Sequence, residues 1–156
     1  MIFDRLSFCA QLPKTGRLAG IDVGAKTLGL ALSDLLRSIA SADRTIQRTA
    51  FAKDISAICD YFKDNQICAA VIGWPLNMNG IEGQQCEYVR KFADTLSQQS
   101  DMPLLLWDER LSSQAMDRML IQSGVRRDKR KKVIDGLAAA YILQGALDSL
   151  RQQRLA

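Results

Sequence analysis

The chain has 156 residues, 47% hydrophobic and 24% charged, the balance of a soluble globular protein long enough to bury one core. It contains no histidine, which excludes Ser-His-Asp and Cys-His catalysis and the histidine-bearing zinc motifs, so any chemistry falls to carboxylates, lysine or a metal ion. The net charge of +4 is concentrated in Arg126-Arg127-Asp128-Lys129-Arg130-Lys131-Lys132, where six cations face one anion, so the remainder of the chain carries −1. A nearly neutral body with one basic stretch points to a local contact with an acidic polymer.

Cys9, Cys59, Cys68 and Cys86 show no Cys-x-x-Cys spacing and read as reduced residues of a cytoplasmic protein, mostly core fillers. No stretch approaches the roughly 18–20 apolar residues of a membrane span, and residues 1–16 make a poor signal peptide. One domain over 1–156 is expected, with no repeat and no low-complexity tract.

In chain order, Pro13-Lys14-Thr15-Gly16 reads as a lead-in turn after a segment without a clear pattern. Leu18, Gly20 and Asp22 alternate with Ala19, Ile21 and Val23. Thr27 to Ser33 alternates as cleanly beyond Gly24, so 17–33 is a β-hairpin with one acid at the end of its first strand. Residues 34–38 connect to a third strand near Ala40–Arg48. Phe51, Ile55, Ile58 and Phe62 recur at helical spacing and predict an amphipathic helix over 52–64. The apolar run Ile67–Gly73 suits a strand covered on both faces, and Trp74–Gly80 is dense in turn formers. A helix follows from about Glu82 to Gln99, then a second buried strand, Pro103–Trp107, ending in Asp108-Glu109-Arg110. Ser112 or Ser113 caps a further helix to about Ser123. The basic loop spans 125–132, and a last helix runs from about Val133 to Leu150. This order is α/β, with a mixed sheet that opens on an antiparallel hairpin and continues in parallel strands.

In such sheets ligands bind beyond the carboxyl ends of the parallel strands. Asp22, the Gly73–Gly80 loop and Asp108-Glu109 all fall there. Asp135 shares a helical stripe with Ala138, Ala139, Ile142 and Ala146, a small apolar face that carries the acid inward. Each feature also has an ordinary reading. Asp-x-Gly is a common turn, and Asp135 can serve only the positive helix N-terminus near Val133. Asp108-Glu109-Arg110 can be a solvated strand end with a local ion pair, the basic run a solvated loop, and Trp74–Gly80 a plain connection. Together, oxygen ligands without histidine or thiolate suit Mg²⁺ or Mn²⁺. Two such ions about 3.5–4 Å apart can activate water and stabilise the leaving oxygen of a phosphodiester.

Four ordered stretches, Gly20-Ile21-Asp22-Val23-Gly24-Ala25-Lys26, Val71-Ile72-Gly73-Trp74-Pro75-Leu76-Asn77-Met78-Asn79-Gly80, Asp108-Glu109-Arg110-Leu111-Ser112-Ser113 and Lys131-Lys132-Val133-Ile134-Asp135-Gly136-Leu137-Ala138-Ala139, closely resemble the YqgF family over about residues 16–150. Its members are pre-16S rRNA nucleases, also described as Holliday-junction-resolvase-like. The resemblance implies a ribonuclease-H-like fold with a mixed five-stranded sheet and helices on both faces. It implies Asp22, Glu109 and Asp135 as the metal-binding catalytic acids and a role in trimming the 5′ end of 16S rRNA precursors, with the ribosome or its precursor as partner. Candidate nucleic-acid contacts are Lys26, Asn77, Asn79, Arg110, Arg126, Arg127, Lys129, Arg130, Lys131 and Lys132. Two positions depart from the family. Thr27 stands where arginine is usual, which removes one phosphate contact, and Trp74 replaces leucine, which alters loop packing or offers a base-stacking surface. Residues 1–15 lie outside the resemblance.

Three other readings compete. Asp-x-Gly after a strand also resembles the phosphate loop of actin-like ATPases and sugar kinases, which need two such domains. Resolution of four-way DNA junctions uses the same acids and needs a dimer. A non-catalytic nucleic-acid-binding or ribosome-assembly factor needs none of them.

Overall fold

The computed structural model describes residues 1–76, 79–110 and 127–155, with side chains described for 137–153 of the last segment. Its elements are β1 (Ile2–Phe3), α1 (Arg5–Gln11), β2 (Arg17–Val23), β3 (Thr27–Ser33), β4 (Ala40–Gln47), α2 (Phe51–Asp64), β5 (Ile67–Trp74), α3 (Gln84–Ser100), β6 (Leu104–Asp108) and α4 (Arg127–Leu155). One sheet orders its strands β1-β6-β5-β2-β3-β4. β2 and β3 form the expected antiparallel hairpin and β3 pairs antiparallel with β4, while β2, β5, β6 and β1 run parallel.

The expected five strands are therefore present, and a sixth joins them. Ile2 and Phe3 pair with Leu104 and Leu105 at the free edge of β6, and Asp4 caps α1 by accepting from the Ser7 N–H at 2.8 Å. A two-residue strand has no period of its own. It forms because β6 offers an unpaired edge, which the leader covers.

Two cores lie on opposite faces of the sheet. On one, Ala19, Ile21, Leu28, Leu30 and Ile72 meet Ile55, Ile58 and Phe62 of α2 and Val89, Phe92 and Leu96 of α3. On the other, Leu18, Ala31, Val71 and Leu105 meet Phe8 of α1 and Ala139, Ile142, Leu143, Ala146 and Leu150 of α4. The period of two along β2 sends odd positions to the first core and even positions to the second. Asp22 thus follows Leu18 and Gly20 onto the α4 face. At Gly20 the helix comes so close that an added Cβ would lie 2.6 Å from the Ala139 carbonyl oxygen and 2.8 Å from Leu143 Cβ. Cys86 is buried, and the other three thiols are half-buried against these cores.

The described part of α4 runs from Arg127, so Arg127–Lys132, expected in a loop, are helical. Lys and Arg are good helix formers, and no Gly or Pro interrupts them. Asp135 then stands two turns inside the helix, beyond the reach of an N-terminal dipole effect that fades within the first turn. The helix expected over 112–123 lies outside the described residues. Among the described residues no helix is long and apolar enough to cross a membrane.

Candidate metal centre at the carboxyl ends of β2 and β6

Asp22 is the penultimate residue of β2, half-buried and paired across the hairpin with Gly29. Glu109 is the first residue after β6, where its N–H donates to the Trp74 carbonyl at 3.2 Å. Its side chain lies over Gly73. A Cβ on Gly73 would come 2.5 Å from Glu109 Oε2 and 2.7 Å from Ile142 Cδ1, so only glycine leaves the carboxylate its place under α4. The two acids are 87 positions apart in sequence and near enough to feel each other's charge. Withdrawal from water, then the Asp22 charge, then that of Asp108 push the Glu109 carboxyl up to about 7.

Asp108 behaves oppositely. Arg110 donates to it from Nε at 3.0 and 3.1 Å and from Nη2 at 2.6 Å, and this bidentate bond holds its carboxyl below the usual range. The ion pair that Asp108-Glu109-Arg110 can form is made by Asp108 and Arg110. Arg110, expected on nucleic acid, has its guanidinium engaged with Asp108.

Asp135 lies in α4 one helical turn before Ala139, whose carbonyl meets Gly20. The direction of α4 follows from its far end, where Gln144 and Arg151 bond Ser38 near the start of β4. From Ala139 back to Asp135 the helix rises about 6 Å, and from Gly20 on to Asp22 the strand rises about 6.6 Å. The helix backbone at Asp135 is thus brought level with Asp22; its side chain is outside the description.

The remaining candidates scatter. Lys26 is exposed in the β2–β3 turn. Asn79 uses Oδ1 to accept from the Ile81 N–H at 3.0 Å. Arg127, Lys129, Arg130, Lys131 and Lys132 occupy the first turns of α4, whereas Asn77 and Arg126 lie outside the described residues. Trp74 is only 8% exposed and carries Arg90 4.9 Å above its ring, so it packs the loop and offers no free stacking face. Gly73 and Gly20, as spacers that let Glu109 and α4 close on the sheet, went unread in the sequence. A glycine inside an otherwise apolar strand was the available signal.

Residues 16–149 match the family described as "RuvX: Holliday junction resolvase". The chain belongs to that family. Among its relatives, the "Putative pre-16S rRNA nuclease" of Rhodospirillum centenum is 47% identical over 148 residues, covering 92% of this chain and 79% of that protein. The protein of the same description from Paracoccus denitrificans is 45% identical, covering 93% and 92%. Among solved structures, RuvC of Thermus thermophilus in complex with Holliday junction substrate superposes with a TM-score of 0.53 at 15% identity, covering 86% of this chain and 94% of that one. At that identity the likeness concerns the fold, a RuvC-type member of the ribonuclease-H-like class. The matched range leaves β1 and α1 outside the family, in keeping with the resemblance that starts at residue 16.

Proposed function

We propose that this family member is a divalent-metal-dependent nuclease that trims the 5′ end of precursor 16S rRNA in the cytoplasm, acting on the ribosome precursor. Nuclease class follows from the family, and the RNA substrate from relatives about 45% identical over nearly the whole chain. What supports the chemistry is that Glu109 lies near enough to Asp22 for its charge to act on the Glu109 carboxyl. Like-charged carboxyls withdrawn from water repel, and one of them is held half-protonated near neutral pH. A cation relieves that conflict. The donors are carboxylate oxygens in a chain without histidine, which fits Mg²⁺ or Mn²⁺.

Asp22, Glu109 and Asp135 would hold the metal. When bound, it supplies Lewis-acid activation of water and neutralises charge at the phosphate. Gly73 keeps the space that Glu109 occupies. Arg110 ties down Asp108, so that this neighbouring acid does not compete for the ion. Lys26 and the cations at the start of α4 hold the phosphate backbone.

The test is cleavage of precursor 16S RNA by purified protein, with Mg²⁺ or Mn²⁺ and with chelator. Cleavage that chelator abolishes, and that Asp22→Asn abolishes too, is expected; cleavage in chelator would remove the metal from the mechanism. A four-way DNA junction belongs in the same assay, because the family description and the RuvC fold both favour that second reading. Symmetric cutting of the junction with intact RNA would replace the first by the second. For the basic segment, neutralising Arg126, Arg127, Lys129 and Arg130 together is expected to weaken RNA binding. The slope of log K against log salt should flatten by up to about 3, from roughly 0.7 per single-strand phosphate contact. An unchanged slope would take the segment out of the interface.

A further inference from the structure

Immediately after Asp22 the chain turns through Gly24, Ala25 and Lys26, and three consecutive carbonyls of this turn are gathered by one residue. Arg48, just past the end of β4, donates from Nη1 to the Gly24 carbonyl at 2.6 Å and to the Ala25 carbonyl at 3.3 Å. Its backbone N–H donates to the Lys26 carbonyl at 2.9 Å. The preceding carbonyl, of Val23, accepts from Gln85 of α3 at 3.5 Å.

Arg48 is itself fixed from three sides. Its guanidinium lies 4.4 Å over the Tyr88 ring and donates from Nη2 to the Tyr88 hydroxyl. Nε stands 3.8 Å from Asp54 Oδ2, in a pair whose side chains are 19% and 4% exposed. Asp54 in turn accepts from the Thr49 N–H at 3.0 Å and the Thr49 hydroxyl at 3.3 Å. Tyr88 meets Phe51 edge-on at 6.3 Å. A planar fork with five donors can serve two carbonyls, a hydroxyl and a carboxylate at once; an ammonium cannot match that geometry.

We propose that Arg48 is a positioning residue for Asp22. It ties the turn after β2 to α2 and α3 and so fixes where the strand delivers the Asp22 carboxylate. This inference rests on the metal-site reading above. A carboxylate displaced by about 1 Å can lose on the order of a hundredfold in rate; beyond Val23, which is held in the core and paired with Leu28, the turn is held by bonds from Gln85 and Arg48 and by the Gly24 N–H to Thr27 carbonyl bond at 2.9 Å.

The test compares Arg48→Lys with wild type, with Arg44→Lys as control. Arg44 is exposed and pairs with Asp43, and its guanidinium likewise covers a tyrosine ring, that of Tyr61, at 5.3 Å. The lysine variant keeps a cation for Asp54 and Tyr88 but cannot bind both turn carbonyls. Expected is a tenfold or greater loss in kcat with KM for RNA changed less than twofold, and a several-fold rise in the Mn²⁺ concentration for half-maximal rate. In metal-free protein, hydrogen–deuterium exchange should quicken in the peptide over residues 20–30 and nowhere else. Unchanged exchange there overturns the inference, as does full kcat with unchanged Mn²⁺ dependence. Uniform loosening of the whole domain also overturns it, since that marks a purely structural role. If wild type fails to cleave or Asp22→Asn cleaves normally, the nuclease reading falls, while the exchange result still decides what Arg48 does to the turn.

Discussion

Replacing Glu109 by glutamine is expected to abolish cleavage and, without metal, to make the fold more stable. The folded protein holds the Glu109 carboxyl up to about 7 against an ordinary 4.5. The folded state therefore prefers the protonated form. The contribution of this group is fully present below about pH 4.5 and is lost as pH rises through 7. A shift of that size corresponds to roughly 3 kcal/mol at most, or on the order of 5–10 °C in Tm for a domain of this length. Glutamine keeps the shape and stays neutral. In chelator, Glu109→Gln should therefore melt above wild type at pH 8 and together with it at pH 4.5. Added Mn²⁺ should raise wild type and leave the variant unmoved, because ligand binding to the native state adds stability by mass action. Thermal melts at the two pH values, with and without Mn²⁺, check this. A variant less stable at pH 8 would mean that the carboxylate is welcome where it sits and no cation is called for.

Gly73→Ala is expected to lose activity out of proportion to stability. The new methyl would fall 2.5 Å from Glu109 Oε2 and 2.7 Å from Ile142 Cδ1. Overpacking of this kind costs about 1–3 kcal/mol, too little to unfold a domain of ordinary stability. The nearest atom is the end of a flexible side chain, so the relaxation available is to swing Glu109 out of the site. Cleavage should fall at least a hundredfold while the far-UV circular dichroism stays native. At Gly20 the nearest atom is the Ala139 backbone carbonyl, 2.6 Å away, which cannot swing aside. Gly20→Ala should lift α4 from the sheet and lose stability first. Melting curves and rates for the pair separate the two mechanisms, and equal behaviour would deny Gly73 its special place.

Much of this architecture was legible in residue order alone. The hairpin over 17–33 and the helix over 52–64 agree with β2, β3 and α2 to within a residue at each end, because strict alternation and helical recurrence leave few choices where one face is buried. β5 and β6 read as continuous apolar runs because α4 covers one side and α2 and α3 the other. Asp22 and the pair Asp108-Glu109 stand out as charges at the ends of such runs, and the choice of Glu109 over Asp108 came from the family resemblance.

What escaped has no local cause. Ile2 and Phe3 become a strand only because Leu104 and Leu105 leave an edge open. Arg127–Lys132 are helical within α4, although their charge run looked like a loop. Gly73 and Gly20 matter through what presses on them from other elements. Which of the two readings of Trp74 holds, packing or stacking surface, is decided by Arg90 of α3, which covers its ring. That Arg110 also binds Asp108, two residues back, could not be told from the order Asp108-Glu109-Arg110.

As proposed, Asp22, Glu109 and Asp135 share one cation. Crystals of the protein soaked in Mn²⁺ and measured at the manganese absorption edge test it directly. An anomalous peak within coordination distance of all three carboxylates, at the end of β2 under α4, is expected. A peak elsewhere, or an Asp135 carboxylate directed away from Asp22 and Glu109, would contradict it.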